Sequence, residues 1–125
     1  MLANVPLIAF AATSDPDAAL DFYRGRLGLR LIEDTPFALV FDAWGTELRI
    51  QIVTNVTPPE YTVLGWAVED LDAMMGDLKL RGVEFIRFEG LAQDDAGVWS
   101  TPTGARIAWF RDPDGNLLSL TERRH

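Results

Sequence analysis

Read for the order of apolar and polar positions, the chain passes through the same series of periods twice. Val5 to Thr13 (VPLIAFAAT) is a strand-like run and ends at Ser14-Asp15-Pro16. Asp15 is suited to cap a helix, and Pro16 has its φ already set for the first helical position. The helix predicted from Asp17 to about Leu27 turns Ala19, Leu20, Tyr23 and Leu27 inward, and Gly28 stops it. Three strands follow: Leu29 to Glu33, Phe37 to Asp42, and Thr46 to Val53. In the last, Leu48, Ile50 and Ile52 alternate with Glu47, Arg49 and Gln51, so each set takes one face.

Thr54 to Glu60 (TNVTPPE), with two prolines among polar residues, reads as a linker. The series then restarts. Tyr61 to Val68 is a predicted strand and Asp70 an acidic cap. Leu71 to Arg81 form a helix with Leu71, Met74, Met75 and Leu78 inward, and Gly82 ends it. Val83 to Phe88 is a predicted strand, Glu89 to Gly97 a loop, and Gly104 to Arg111 with Asn116 to Thr121 a hairpin. Its turn is Asp112-Pro113-Asp114-Gly115, where Pro113 presets one dihedral and Gly115 supplies positive φ. Phe41 to Leu48 is expected to match Phe110 to Leu118, with Gly45 opposite Gly115 and no offset between them. Such self-similarity is the mark of a duplicated unit.

The expected fold class is therefore α+β. Two tandem βαβββ modules, about residues 5–53 and 61–121, form a concave, partly closed mixed sheet with helices outside. All 125 residues are read as one domain. Each half alone would expose a face of a small sheet, so the halves must pair, within one chain or between chains. A homodimer is expected.

Composition narrows the chemistry. With no cysteine there is neither a disulfide framework nor a thiolate metal site. The single histidine, His125, is the last residue. A net charge of −8 argues against a nucleic-acid partner, which requires clustered Lys and Arg. It favours cationic ligands or simply keeps the protein in solution. No apolar run is long enough for a membrane span and the first residues lack a basic n-region, so a cytoplasmic protein is expected.

The stretches Asp15 to Leu29 (DPDAALDFYRGRLGL) and Trp109 to Glu122 (WFRDPDGNLLSLTE) resemble the vicinal oxygen chelate superfamily. That superfamily includes glyoxalase I, extradiol dioxygenases, fosfomycin-modifying enzymes and the metal-free bleomycin resistance proteins. The resemblance spans nearly the whole chain, but its motifs are structural and identify no reaction. It implies that metal-using members draw ligands from the first and last strand of each half. Counted from the caps and turn glycines, those positions hold Ile8 and Val63, and Arg49 and Ser119. Two are aliphatic, one is a cation and one a weak neutral donor, so neither a metal nor another cofactor is expected.

Strand parity assigns the concave lining. Ile8, Phe10, Glu47, Arg49, Gln51, Val63, Trp109 and Ser119 are the candidate ligand-binding residues, in a mostly apolar hollow with a few polar groups. Arg49 either holds a planar oxyanion through two parallel hydrogen bonds or pairs with Glu47. Gln51 reads an amide or is a satisfied lining residue; Phe10 and Trp109 stack a planar ligand or pack the core. The loop from Glu89 to Gly97, followed by Trp99, either closes over the hollow or is a solvated connection. Ser119 has no activating base, Glu47 is the one candidate base in the lining, and no catalytic residue is assigned. The function expected is metal-independent binding of a small organic molecule, as a sequestering or carrier protein. The alternatives are an enzyme of the same superfamily, a glyoxalase-like lyase or isomerase or a dioxygenase, and a module that binds another protein.

Overall fold

The computed structural model describes residues 1–123, so His125 lies outside the described residues. The chain divides into two compact units, Met1–Thr57 and the part from Pro58 onward, with the boundary inside the predicted linker. Each unit contains a four-stranded mixed sheet, and neither sheet closes into a barrel.

In the first unit, β1 (Ile8–Thr13) leads into α1 (Pro16–Leu20), followed by a π-helical turn (Asp21–Arg26). Then come β2 (Arg30–Asp34), β3 (Ala38–Ala43) and β4 (Thr46–Ile52). The strand order is β1-β4-β3-β2, with β1 parallel to β4 and the other pairs antiparallel. Asp15 caps α1 by accepting the Ala18 N–H at 3.2 Å, and Pro16 opens the helix. The core lies between the helical segment and one sheet face, where Ala19, Phe22, Tyr23, Leu39, Phe41, Leu48 and Ile50 are buried. Tyr23 and Phe41 meet ring to ring at 5.8 Å, which fixes that face as the one under the helix.

This helix departs from the expected pattern. Leu20 and Leu27 are only partly buried, whereas Phe22 joins Tyr23 in the core. The π turn, closed by Leu27 N–H to Phe22 O at 2.9 Å, carries one extra residue and so shifts the inward positions off the 3.6-residue pattern.

In the second unit, β5 (Leu64–Val68) precedes α2 (Leu71–Leu80), then β6 (Trp99–Ser100), β7 (Arg106–Arg111) and β8 (Leu117–Glu122). The order β5-β8-β7-β6 repeats that of the first sheet, again with its outer pair β5 and β8 parallel. Asp70 caps α2 through the Ala73 N–H at 3.0 Å. Leu71, Met75 and Leu78 are buried, but Met74, expected inward, is exposed. Phe110 lies on the helix side of this sheet, edge to face with Phe85 at 5.7 Å and stacked with Trp66 at 6.5 Å.

Two expectations fail here. Val83 to Phe88 is not a strand: it touches the sheet through a single bridge, Phe85 to Phe110, and the module's second strand is the two-residue β6. The reason is local competition for the backbone. The Gln93 amide accepts the Phe88 N–H at 2.7 Å and donates to Ile86 O at 3.1 Å, filling places a neighbouring strand would take. The two hairpin turns also differ in length. Trp44-Gly45 alone joins β3 to β4, whereas residues 112–116 join β7 to β8, so the glycines align only with an offset.

Candidate functional site

Residues directly paired across adjacent strands share a face, so the registers assign the side of each sheet that points away from its helix. In the first unit Ile8 pairs with Glu47, Phe10 with Arg49, and Ala12 with Gln51. These six form one face. Phe10 and Ile8 remain 49% and 43% exposed, a large apolar area for a sheet face, and Gln51 is exposed beside them. Arg49 Nη1 donates to Glu47 Oε2 at 3.1 Å. Of the two readings of Arg49, local pairing with Glu47 is the geometry observed. The other guanidinium N–H groups still project from a half-exposed side chain.

In the second unit Gly65, Ser119 and Trp109 lie side by side across β5, β8 and β7. Ser119 is buried, and Gly65 is exposed on the edge strand next to it. The indole of Trp109 is held on three sides. Trp99 stacks on it at 6.3 Å, Phe88 meets it edge-on at 5.3 Å, and its Nε1 donates to Thr62 Oγ1 at 3.2 Å. Its donor is therefore engaged, and what remains to offer is π surface. Val63 donates its backbone N–H to Leu117 O at 2.9 Å, which extends the face by one pair. A hollow of about 210 Å³ opens beside Gly65, Ala67, Thr121 and Arg123.

Phe88, Thr62 and Gln93 were not singled out by periodicity. Phe88 carries no usable signal, because it follows an irregular segment. The Glu89–Gly97 loop is tied to itself: Gln93 Nε2 also donates to Gly97 O at 2.7 Å, and Asp94 Oδ1 accepts the Ala96 and Val98 N–H groups at 3.0 and 2.9 Å. Arg87 donates to the Asp94 and Gln93 carbonyls at 2.6 and 3.0 Å. A loop wired this way is a wall for Trp99 and Phe88.

The donor set at Ile8, Val63, Arg49 and Ser119 does not fit a metal ion. Ile8 and Val63 carry no donor atom, Arg49 is a cation already turned to Glu47, and Ser119 supplies one neutral hydroxyl. Among the described residues no three of His, Cys, Asp and Glu are grouped so as to hold one. None of the described helices is long and apolar enough to cross a membrane.

Comparison with known proteins agrees with this architecture. An uncharacterized protein, YraH, of Bacillus subtilis is 28% identical over 86% of this chain and 89% of its own length. A glyoxalase family protein from Enterococcus faecalis superposes with a TM-score of 0.74 at 25% identity, covering 98% of this chain and all (100%) of that one. A glyoxalase/bleomycin resistance protein/dioxygenase from Alicyclobacillus acidocaldarius gives a TM-score of 0.71 at 23% identity, over 98% and 93% of the two chains. Residues 7–120 match one family throughout, and the chain belongs to the Glyoxalase/Bleomycin resistance protein/Dioxygenase superfamily.

Proposed function

We propose that this protein binds a small organic molecule without a metal ion, acting as a cytoplasmic carrier or sequestering protein and as a homodimer. The observation that carries the reading is the Trp109 wall. A partly buried indole braced by Trp99, Phe88 and Thr62 keeps one orientation, and a fixed aromatic face binds a planar ligand with little ordering loss. Support also comes from the positions where the resemblance implies metal ligands, since Ile8 and Val63 carry no donor atom, Arg49 is a cation and Ser119 a single neutral hydroxyl. Phe10, Gln51 and the Glu47–Arg49 pair make a separate candidate face on the first sheet, where Arg49 would read an acidic or carbonyl oxygen.

The reading is tested by a thermal-shift screen over aromatic acids and cationic aromatics, followed by titration calorimetry of any stabiliser. Binding should survive dialysis against EDTA and fall at least tenfold in Trp109→Ala, with Arg49→Ala reducing binding of acids alone. A stoichiometric divalent metal whose removal abolishes binding would overturn the proposal. Light scattering at micromolar concentration should give twice the monomer mass.

A further inference from the structure

A second hollow lies within the first unit, beside α1 and apart from the face that carries Arg49. It has a volume of about 480 Å³ and is bounded by the first turn of α1, the β2–β3 turn and the end of β4. That volume is in the range of sites for small organic ligands. Its floor is aliphatic, made by Leu20, Leu39 and Ile52, and its rim carries Asp17 and Asp34.

The polar groups around this cleft are nearly all engaged with one another. The Thr35 hydroxyl accepts the Phe37 and Ala38 N–H groups at 3.2 and 3.1 Å and donates to Ala38 O at 3.2 Å, which uses its full capacity. Pro16 and Pro36 have no N–H. The N–H groups of Ala18 and Ala19 are taken by Asp15, through Oδ1 at 3.2 Å and the carbonyl at 3.0 Å. The walls are thus set without a ligand. What the side chains leave unengaged is acceptor capacity alone, the Asp17 and Asp34 carboxylates. Neither takes part in an ion pair or side-chain hydrogen bond among the described residues.

An apolar floor with two free anions and no free side-chain donor selects one ligand chemistry. We propose that this cleft binds an organic ammonium ion, its hydrocarbon body on Leu20, Leu39 and Ile52 and its N–H groups directed to Asp17 and Asp34. Carboxylates and phosphates would meet like charge and find no side-chain donor. The chain's net charge of −8 adds long-range attraction for the same class.

The test is a titration of ¹⁵N-labelled full-length protein at low salt with cyclohexylmethylamine, and in parallel with cyclohexanecarboxylate, which keeps the ring and reverses the charge. The amine should shift the Asp17, Thr35, Leu39 and Ile52 amide resonances in a saturable way, and the acid should not. Asp17→Asn with Asp34→Asn should weaken binding at least tenfold; both positions are exposed, so the variant keeps its fold. Binding should also weaken as salt rises. The proposal fails if these amides do not move, if the amine shifts exposed carboxylates indiscriminately, if the acid binds equally, or if the double variant binds as tightly. Shifts at the Trp109 indole with none here would count for the other face and against this one.

Discussion

A Cβ built on Gly65 would stand 2.8 Å from Ser119 Oγ, closer than such atoms approach in real proteins. The two residues are cross-strand partners on β5 and β8, and Ser119 is only 7% exposed. The absence of a side chain on the edge strand is what admits the hydroxyl. Gly65→Ala should therefore destabilise the protein by about 1 kcal/mol or more, the usual scale for overpacking. In a Ser119→Ala background the same change should cost less, and urea denaturation of the four proteins measures the coupling. Equal effects in both backgrounds would show that the contact carries no strain.

Trp44 forms a two-residue turn with Gly45, and both have positive φ, 54° and 88°. Asn-Gly suits such a turn, because a large side chain in the left-handed region is strained. Trp44 is also fully exposed, so its replacement sacrifices no packing in this chain. Trp44→Asn should raise stability by about 1 kcal/mol in chemical denaturation. A loss of stability would mean that the indole packs against a partner in solution.

The Asp112 carboxylate shapes the turn between β7 and β8. Its Oδ1 accepts the Asp114 and Asn116 N–H groups at 3.0 and 2.9 Å, and its Oδ2 accepts Asn116 Nδ2 at 2.8 Å. Asp112 and Asn116 are both buried, so removing the acceptor leaves donors without water. Asp112→Ala should cost about 3 kcal/mol, several times the effect of an exposed substitution. Asp112→Asn should fall between, and a Tm within a degree of the parent's for Asp112→Ala would refute the account.

Arg106 donates to Asp72 at 2.9 Å and to Glu122 at 3.5 Å, while Glu122 accepts the Leu71 N–H at 2.8 Å at the start of α2. The hydrogen bond and charge of Arg106 hold the Asp72 carboxyl below its usual 3.8. A lowered folded-state value means that stability is present above the unfolded value and lost as pH falls through the folded one. Asp72→Asn should therefore be less stable than the parent at pH 7, with the gap closing below about pH 4 and shrinking in high salt. A gap that persists at pH 2 would assign the effect to something other than this pair.

Much of the architecture is legible in local chemistry. Asp15-Pro16 and Asp70 start helices because the cap and its target N–H lie three residues apart. The alternation in Thr46 to Ile52 separates two faces because a strand has a period of two, and that puts Glu47, Arg49 and Gln51 on the face opposite buried Leu48 and Ile50 without reference to distant residues. The repeated order of elements follows from the same short-range signals.

Other features arise where side chains from separate segments compete. The π turn at Asp21–Arg26, over which Phe22 joins Tyr23 in the core, is not announced by the 3.6-residue pattern. Val83 to Phe88 fails as a strand because Gln93, several residues on, captures its backbone. Arg49 turns to Glu47 rather than outward, Trp109 gives its N–H to Thr62, and Gly65 makes room for Ser119. Periodicity and cap spacing are properties of neighbouring residues and can be read along the chain. Which partner a polar group takes depends on what folding brings within 3 Å of it, and only the assembled tertiary structure decides that.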